Sequence, residues 1–81
     1  AQFSLARSYQ DGTGVVQDDE QAVKWFGRSA EQGHSNAQFY LGLCYYEGAG
    51  VVADKTLAKI WFTQASDQGH SEAIRSLADL F

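Results

Sequence analysis

AQFYLGLCYYEGAGVVADKTLAKIWF, residues 37–62, with QGHS following at residues 68–71, decides the fold, because the chain has already spelled most of it once. At an offset of 36 the same residue recurs at Ala1-Gln2-Phe3, Leu5, Tyr9, Gly12, Gly14-Val15-Val16, Asp18, Ala22, Trp25-Phe26 and Gln32-Gly33-His34-Ser35, which makes 17 of 36 positions. Residues 73–81 open a third copy, with Ala73, Leu77 and Ala78 standing where Ala1, Leu5 and Ala6 stand. A period in this range signals stacked supersecondary units, each unable to bury its apolar face alone. The 81 residues read as one segment: repeat 1 over 1–36, repeat 2 over 37–72 and the first helix of repeat 3 over 73–81. About three repeats are usually needed for a continuous core, so the segment is expected to be part of a longer array.

Within each copy the apolar spacing is helical. Ala1, Leu5, Ala6 and Tyr9 fall on one face of a first helix, A, over residues 1–10. Asp11-Gly12-Thr13-Gly14 then breaks it, with glycines where positive φ is needed. Val15 and Val16 are too few for a strand and read as a hydrophobic loop anchor. Asp18 is a candidate N-cap for a second helix, B, with Gln21 three residues on and Asp19 and Glu20 at the positive end of the dipole. Helix B carries Ala22, Trp25, Phe26 and Ala30 and stops at Gly33. In the second copy Ser35 and Gln38 form a candidate capping box for helix A, which runs to about Tyr46. Asp54 caps the next helix B, which ends at Gly69, and Ser71 is expected to cap a fifth helix reaching Leu80. The expected architecture is all-α, five helices in A-B-A-B-A order, with Trp25, Phe26, Trp61, Phe62, Leu5, Leu41, Tyr9 and Tyr45 in the core.

The run A-x-x-x-L-G-x-x-Y-x-x-G-x-G-V-V-x-D-x-x-x-A-x-x-W-F from Ala37 to Phe62, continued by A-S-D-Q-G-H to His70, resembles the Sel1-like repeat. The first copy is similar, with Ala6 in place of Gly42. The tetratricopeptide repeat fits less well, its period being 34 and its hairpin lacking the G-x-G-V loop. The resemblance implies a right-handed α/α superhelical solenoid that serves as a scaffold or adaptor for a protein or peptide partner. Relatives with two cysteines per repeat bridge their helices. This chain has only Cys44, with Ser8 at the equivalent position, so the disulfide-stapled branch is not expected.

Composition narrows the partner. The net charge is −4 and the six Lys and Arg are scattered, which argues against nucleic acid, since a phosphate backbone draws on clustered basic residues. No run approaches the roughly 20 apolar residues of a membrane span, so direct insertion is not expected. Nothing in the composition selects a compartment.

Candidate chemistry is sparse. His34 and His70 occupy equivalent positions in adjacent repeats, too far apart for one zinc ion when stacked helices lie about 8–10 Å from each other, and read as polar turn residues. Asp18 and Asp54 are caps before they are an acid–base pair. Cys44 has Tyr40, Leu41 and Gly48 as helical neighbours, none of them basic, and reads as a structural thiol. Gly12 with Gly14, and Gly48 with Gly50, follow a helix where a phosphate loop needs a strand. No catalytic residue, metal or cofactor is expected.

The second A helix carries one feature the repeat does not demand. Phe39, Leu43 and Tyr46 form a further apolar stripe at i, i+4, i+7, rotated from the framework face of Ala37, Leu41, Gly42 and Tyr45. The equivalent positions are Phe3, Arg7 and Gln10 in the first copy and Arg75 and Asp79 in the third. By analogy with the tetratricopeptide hairpin these residues line the concave side, where an aromatic and aliphatic strip between two arginines suits a peptide with carboxylates. The competing expectation is a structural spacer or self-assembly unit, associating end to end through Leu77, Leu80 and Phe81.

Overall fold

The described residues form five helices: α1 Gln2–Asp11, α2 Asp19–Glu31, α3 Ser35–Glu47, α4 Lys55–Asp67 and α5 Ser71–Leu80. The computed structural model describes residues 2–12 and 18–81, with the side chains of 2–5 and 11 left aside. Each helix packs mainly on its neighbours in the chain, α1 on α2, α2 on α3, α3 on α4 and α4 on α5. The result is a solenoid fragment of 34 × 24 × 17 Å. Among the described residues there is no strand.

Two buried clusters hold the stack, one per repeat. The first gathers Ala6, Ala22, Phe26, Ala30, Ala37, Leu41 and Cys44. The second gathers Phe39, Ala58, Phe62, Ala65 and Ala73. Phe26 and Phe62 are the largest fully buried side chains, and the residues around them are mostly alanines. One large ring among small neighbours lets antiparallel helices close at interior density. Truncating such a ring typically costs about 3–5 kcal/mol, a large part of what so short an array possesses. Tyr40 and Tyr45 flank both clusters and couple the repeats.

Trp25 and Trp61 depart from the expected core. Both are half-buried and pack on the first cluster, an ordinary outcome for an indole too large to be enclosed by so thin a layer. Tyr9 and Tyr45 are half-buried as well, Leu41 is buried, and Leu5 lies outside the described side chains.

The described ends of the loops repeat as well. Gly12 (φ 75°) and Gly48 (φ 73°) end the A helices in the left-handed region, their N–H groups donating to the carbonyls of Ser8 and Cys44 at 2.8 Å. The main-chain N–H of Asp18 then donates to the Tyr9 carbonyl at 2.9 Å, and that of Asp54 to Tyr45 at 2.8 Å. These bonds tie the start of each B helix back to its own A helix. Asp18 Oδ1 accepts from the N–H of Glu20 and Gln21, and Asp54 Oδ1 from those of Thr56 and Leu57. Val15 and Val16 lie outside the described residues. Their counterparts Val51 and Val52 form no strand, and Val52 is 89% exposed, so that valine anchors nothing.

The B-to-A junctions correct the expected caps. Gly33 and Gly69 (φ 87° and 84°) donate back to Ala30 and Ser66, while His34 and His70 donate to Ser29 and Ala65, closing a two-bond turn after each B helix. The residue completing that turn is already extended, and it becomes the cap of the following helix. His34 Nδ1 accepts from the N–H of Ala37 at 3.2 Å, and His70 Nδ1 from that of Ala73 at 3.1 Å. Ser35 and Ser71 are therefore the first helical residues and not the caps. Gln38 is buried instead of completing a capping box, donating to the Ala30 carbonyl at 3.1 Å and accepting from Gln68 Nε2 at 2.7 Å.

Gly50 (φ 77°) faces the first turn of α2, where a Cβ would run into the main chain of Asp19 and Glu20. Gly50→Ala combines that clash with a left-handed backbone. It should lower unfolding free energy by at least about 2 kcal/mol, read as a shifted urea midpoint, whereas Gly27→Ala, in open space, should not destabilise.

Candidate functional site

Helices α1, α3 and α5 contribute side chains to one cleft, some from positions that recur, Phe39 and His70, and some from positions where the copies differ, Arg7 and Tyr40. Phe39 is buried, at 6% exposure. Its ring lies 5.7 Å from Phe62, edge-on to Tyr40 at 5.4 Å and stacked on the His70 imidazole at 4.9 Å. The same imidazole uses Nδ1 as the α5 cap, which leaves its proton on Nε2. That nitrogen meets Asn36 Oδ1 at 2.6 Å. Tyr40 stacks on Phe26 with centroids 5.5 Å apart, and the Arg7 guanidinium lies 4.7 Å from its centroid. Arg7 Nη1 also donates to Tyr40 Oη at 3.0 Å.

Between these groups is a cleft of about 220 Å³ lined by Arg7, Asn36, Phe39, Tyr40, His70 and Glu72. Its floor is aromatic and its rim polar. Of the residues expected on this face, the cleft brings together Arg7 and Phe39. Leu43 and Tyr46 lie farther along α3 and are half-buried. Tyr46 meets Phe81 edge-on at 5.9 Å, and the Lys55 ammonium stands 5.3 Å from its ring. Gln10 is half-buried, Arg75 and Asp79 are exposed on α5, and the Phe3 side chain lies outside the described set. Asn36, Tyr40 and Glu72 had not been singled out as site residues, and His70 was weighed only as a metal ligand and read as a polar turn residue. The signal for Tyr40 was present, an aromatic where the first copy has Ser4. His70 was hidden by its identity with His34, which made it read as framework.

Cys44 is buried in the first cluster. Burial, with Asp19 and Glu47 adding negative charge nearby, pushes its thiol from the ordinary 9.0 to about 11. Among the described residues no group of three His, Cys, Asp or Glu side chains is placed to hold a metal ion. No described helix is long and apolar enough to cross a membrane.

The family model for the Sel1 repeat matches twice, over residues 1–34 and 35–70. The chain belongs to the Sel1 repeat family. Among solved structures, the Sel1 repeat protein from Oxalobacter formigenes superposes with a TM-score of 0.95 at 38% identity, over 96% of this chain and 59% of that one. The c5321 protein, a protective antigen of uropathogenic Escherichia coli strains with an SLR fold, gives 0.95 at 40% identity, over 96% of this chain and 17% of that one. The segment thus spans little more than half of one solved Sel1 repeat protein and a small part of the other. No curated protein sequence matches it. Sel1 repeat proteins are helical scaffolds for protein interactions, a non-catalytic type.

A thiol at about 11 inside a Sel1 repeat core reports on unfolding. At pH 9 iodoacetamide should modify folded Cys44 at least about fifty-fold more slowly than the same thiol in urea, since roughly 1% of it is thiolate when folded and about half when unfolded. The raised folded value also means that the thiol's contribution to stability is complete below pH 9 and is lost as pH rises toward 11. Equal alkylation rates in the two states would show that Cys44 is exposed.

Proposed function

We propose that this segment is the recognition module of an adaptor, and that it takes a protein or peptide on the concave side formed by α1, α3 and α5. One observation carries the reading: the cleft that opens on this side joins framework residues, Phe39 and His70, to residues that differ between the two copies. Arg7 stands where the second copy has Leu43 and Tyr40 where the first has Ser4; farther along α3, outside the cleft, Tyr46 stands where the first has Gln10. The contact set is Phe3, Arg7, Gln10, Phe39, Leu43, Tyr46, Arg75 and Asp79, with Phe39 acting as floor because so little of it reaches the surface. Half-buried aromatics beside arginine are the residue types that dominate interface energies.

A photo-crosslinking residue placed at Leu43, Arg75 or Asp79 in the parent protein should yield one discrete adduct, and at Lys24 or Ile60 on the B helices none. Tyr46→Ala with Arg75→Ala should then weaken capture by about 1–3 kcal/mol while leaving the circular dichroism spectrum unchanged. Adducts formed only from the B helices would end the concave-face reading.

The spacer or self-assembly reading has its own observation. Ile74, Leu80 and Phe81 are exposed on α5, and Ala78 is exposed although its counterparts Ala6 and Gly42 are buried under B helices. An apolar helix face that no described element covers favours association. Sedimentation should show concentration-dependent oligomers that Ile74→Lys and Leu80→Lys disperse, and a monomer at all concentrations would remove this alternative.

A further inference from the structure

We infer that the cleft between α1, α3 and the start of α5 is a subsite for a side-chain carboxamide, the neutral amide of glutamine or asparagine, carried by an extended peptide. The inference rests on the concave-face reading and adds to it the chemistry of the group bound.

Charge balance decides the class. Among the lining residues Arg7 is cationic and Glu72 anionic. Whatever donors the guanidinium spends on Tyr40 Oη and elsewhere, its charge stays at the wall. An ammonium group is then opposed by Arg7 and a carboxylate by Glu72, so for either ion the attraction of one wall is offset by repulsion from the other. A neutral group with a strong dipole meets no such conflict. A volume of about 220 Å³ is below the roughly 300–1,000 Å³ of small-molecule pockets, which leaves room for one side chain of a longer ligand.

Hydrogen bonding then separates an amide from an apolar side chain. Asn36 and Glu72 are equivalent positions in the first turns of α3 and α5. The bond between His70 Nε2 and Asn36 Oδ1, at 2.6 Å, draws the Asn36 amide to the start of α5, two residues before Glu72. It also marks the other branch of that amide as NH₂. His70 has nothing left to offer, since its Nδ1 accepts from the Ala73 N–H. Among the described residues, neither the Asn36 NH₂ nor the Glu72 carboxylate has a hydrogen-bond or ion-pair partner. The first is a pure donor and the second a pure acceptor. A carboxamide carries an acceptor oxygen and N–H donors on one carbon and answers both, whereas an apolar side chain would strip water from both and return no bond.

The test is an amide chemical-shift titration of the whole chain with capped pentapeptides, acetyl-Ala-Ala-X-Ala-Ala-N-methylamide, with X as Gln, Glu, Lys or Ala. The Gln peptide should shift resonances of Asn36, His70 and Glu72. It should bind at least about fivefold more tightly than the other three, each of which lacks one or both bonds or meets a like charge. Two isosteric variants should then move the preference in opposite directions. Glu72→Gln removes the anion and should raise the Glu peptide to at least the affinity of the Gln peptide. Asn36→Asp keeps an oxygen for His70, removes the donor and should let the Lys peptide overtake Gln. Merely structural roles for Asn36 and Glu72 would change all the affinities together. Glu or Lys binding the unaltered chain as tightly as Gln, no shift in the cleft, or a preference that neither variant moves would each overturn the inference. Ala binding as tightly as Gln would also overturn it and assign the cleft to the peptide main chain. Shifts confined to Leu43, Tyr46 and Arg75 would overturn it while leaving the concave-face reading intact, and that reading stands or falls separately by the position dependence of crosslinking.

Discussion

The absent side chain of Gly42 sets the spacing of the second hairpin. A Cβ there would stand 2.9 Å from two carbons of the Phe62 ring and 3.2 Å from the Ala58 carbonyl oxygen, closer than real Cβ contacts allow. The ring therefore lies directly against the α3 backbone, and α4 follows it in. With Phe62 seated so deeply, Phe39 packs against it and His70 stacks on Phe39. The aromatic floor of the cleft is the outer end of this column of rings. A methyl group at position 42 would push from the inside on everything above it, although the first copy tolerates Ala6 at the equivalent place, buried in its own cluster.

The junctions convert this local packing into a repeat. Each B helix ends in a left-handed glycine, and the next residue, histidine, both closes that turn and caps the helix that follows. No residue is spent on a linker. Because one imidazole ends one helix and starts another, the direction of α5 relative to α4 is fixed by main-chain bonds, and the first turn of α5 is delivered to the mouth of the cleft. Capping by Nδ1 uses that nitrogen's lone pair as the acceptor. A serine in the same place could cap, but it could not also reach Asn36 and stack on Phe39.

Much of this was legible in the sequence because the framework is written twice. Helix number, the B-helix caps Asp18 and Asp54 and the left-handed glycines follow from period, spacing and residue type, and the structure agrees with them. The A-helix caps were not legible, since Ser35 and Ser71 satisfy the sequence preference for an N-cap and only the closed turn before them moves the boundary by one residue. The burial of Phe39 was equally hidden. Its spacing puts it on a second face of α3, but that face is covered by Phe62 from α4 and His70 from the junction, contacts that span 23 and 31 residues of chain. Periodicity within one helix carries no information about them.

Comparing the two copies separates framework from candidate function only when geometry is added. The residues that recur are those that fill the clusters, close the turns and cap the helices. Those that change fall on both sides of the stack: Ser4 to Tyr40 and Arg7 to Leu43 on the A helices, Gln21 to Leu57 and Lys24 to Ile60 on the B helices. Change alone is therefore not a mark of recognition. Leu57 and Ile60 are exposed apolar groups on α4. Tyr40 and Arg7 meet across a concavity with Phe39 beneath them and polar groups at the rim, so a ligand there loses water on several sides at once while finding donors and acceptors in fixed positions. Desolvation of a few anchored contacts is where interface energy concentrates, which is the physical reason for proposing the cleft as the contact site.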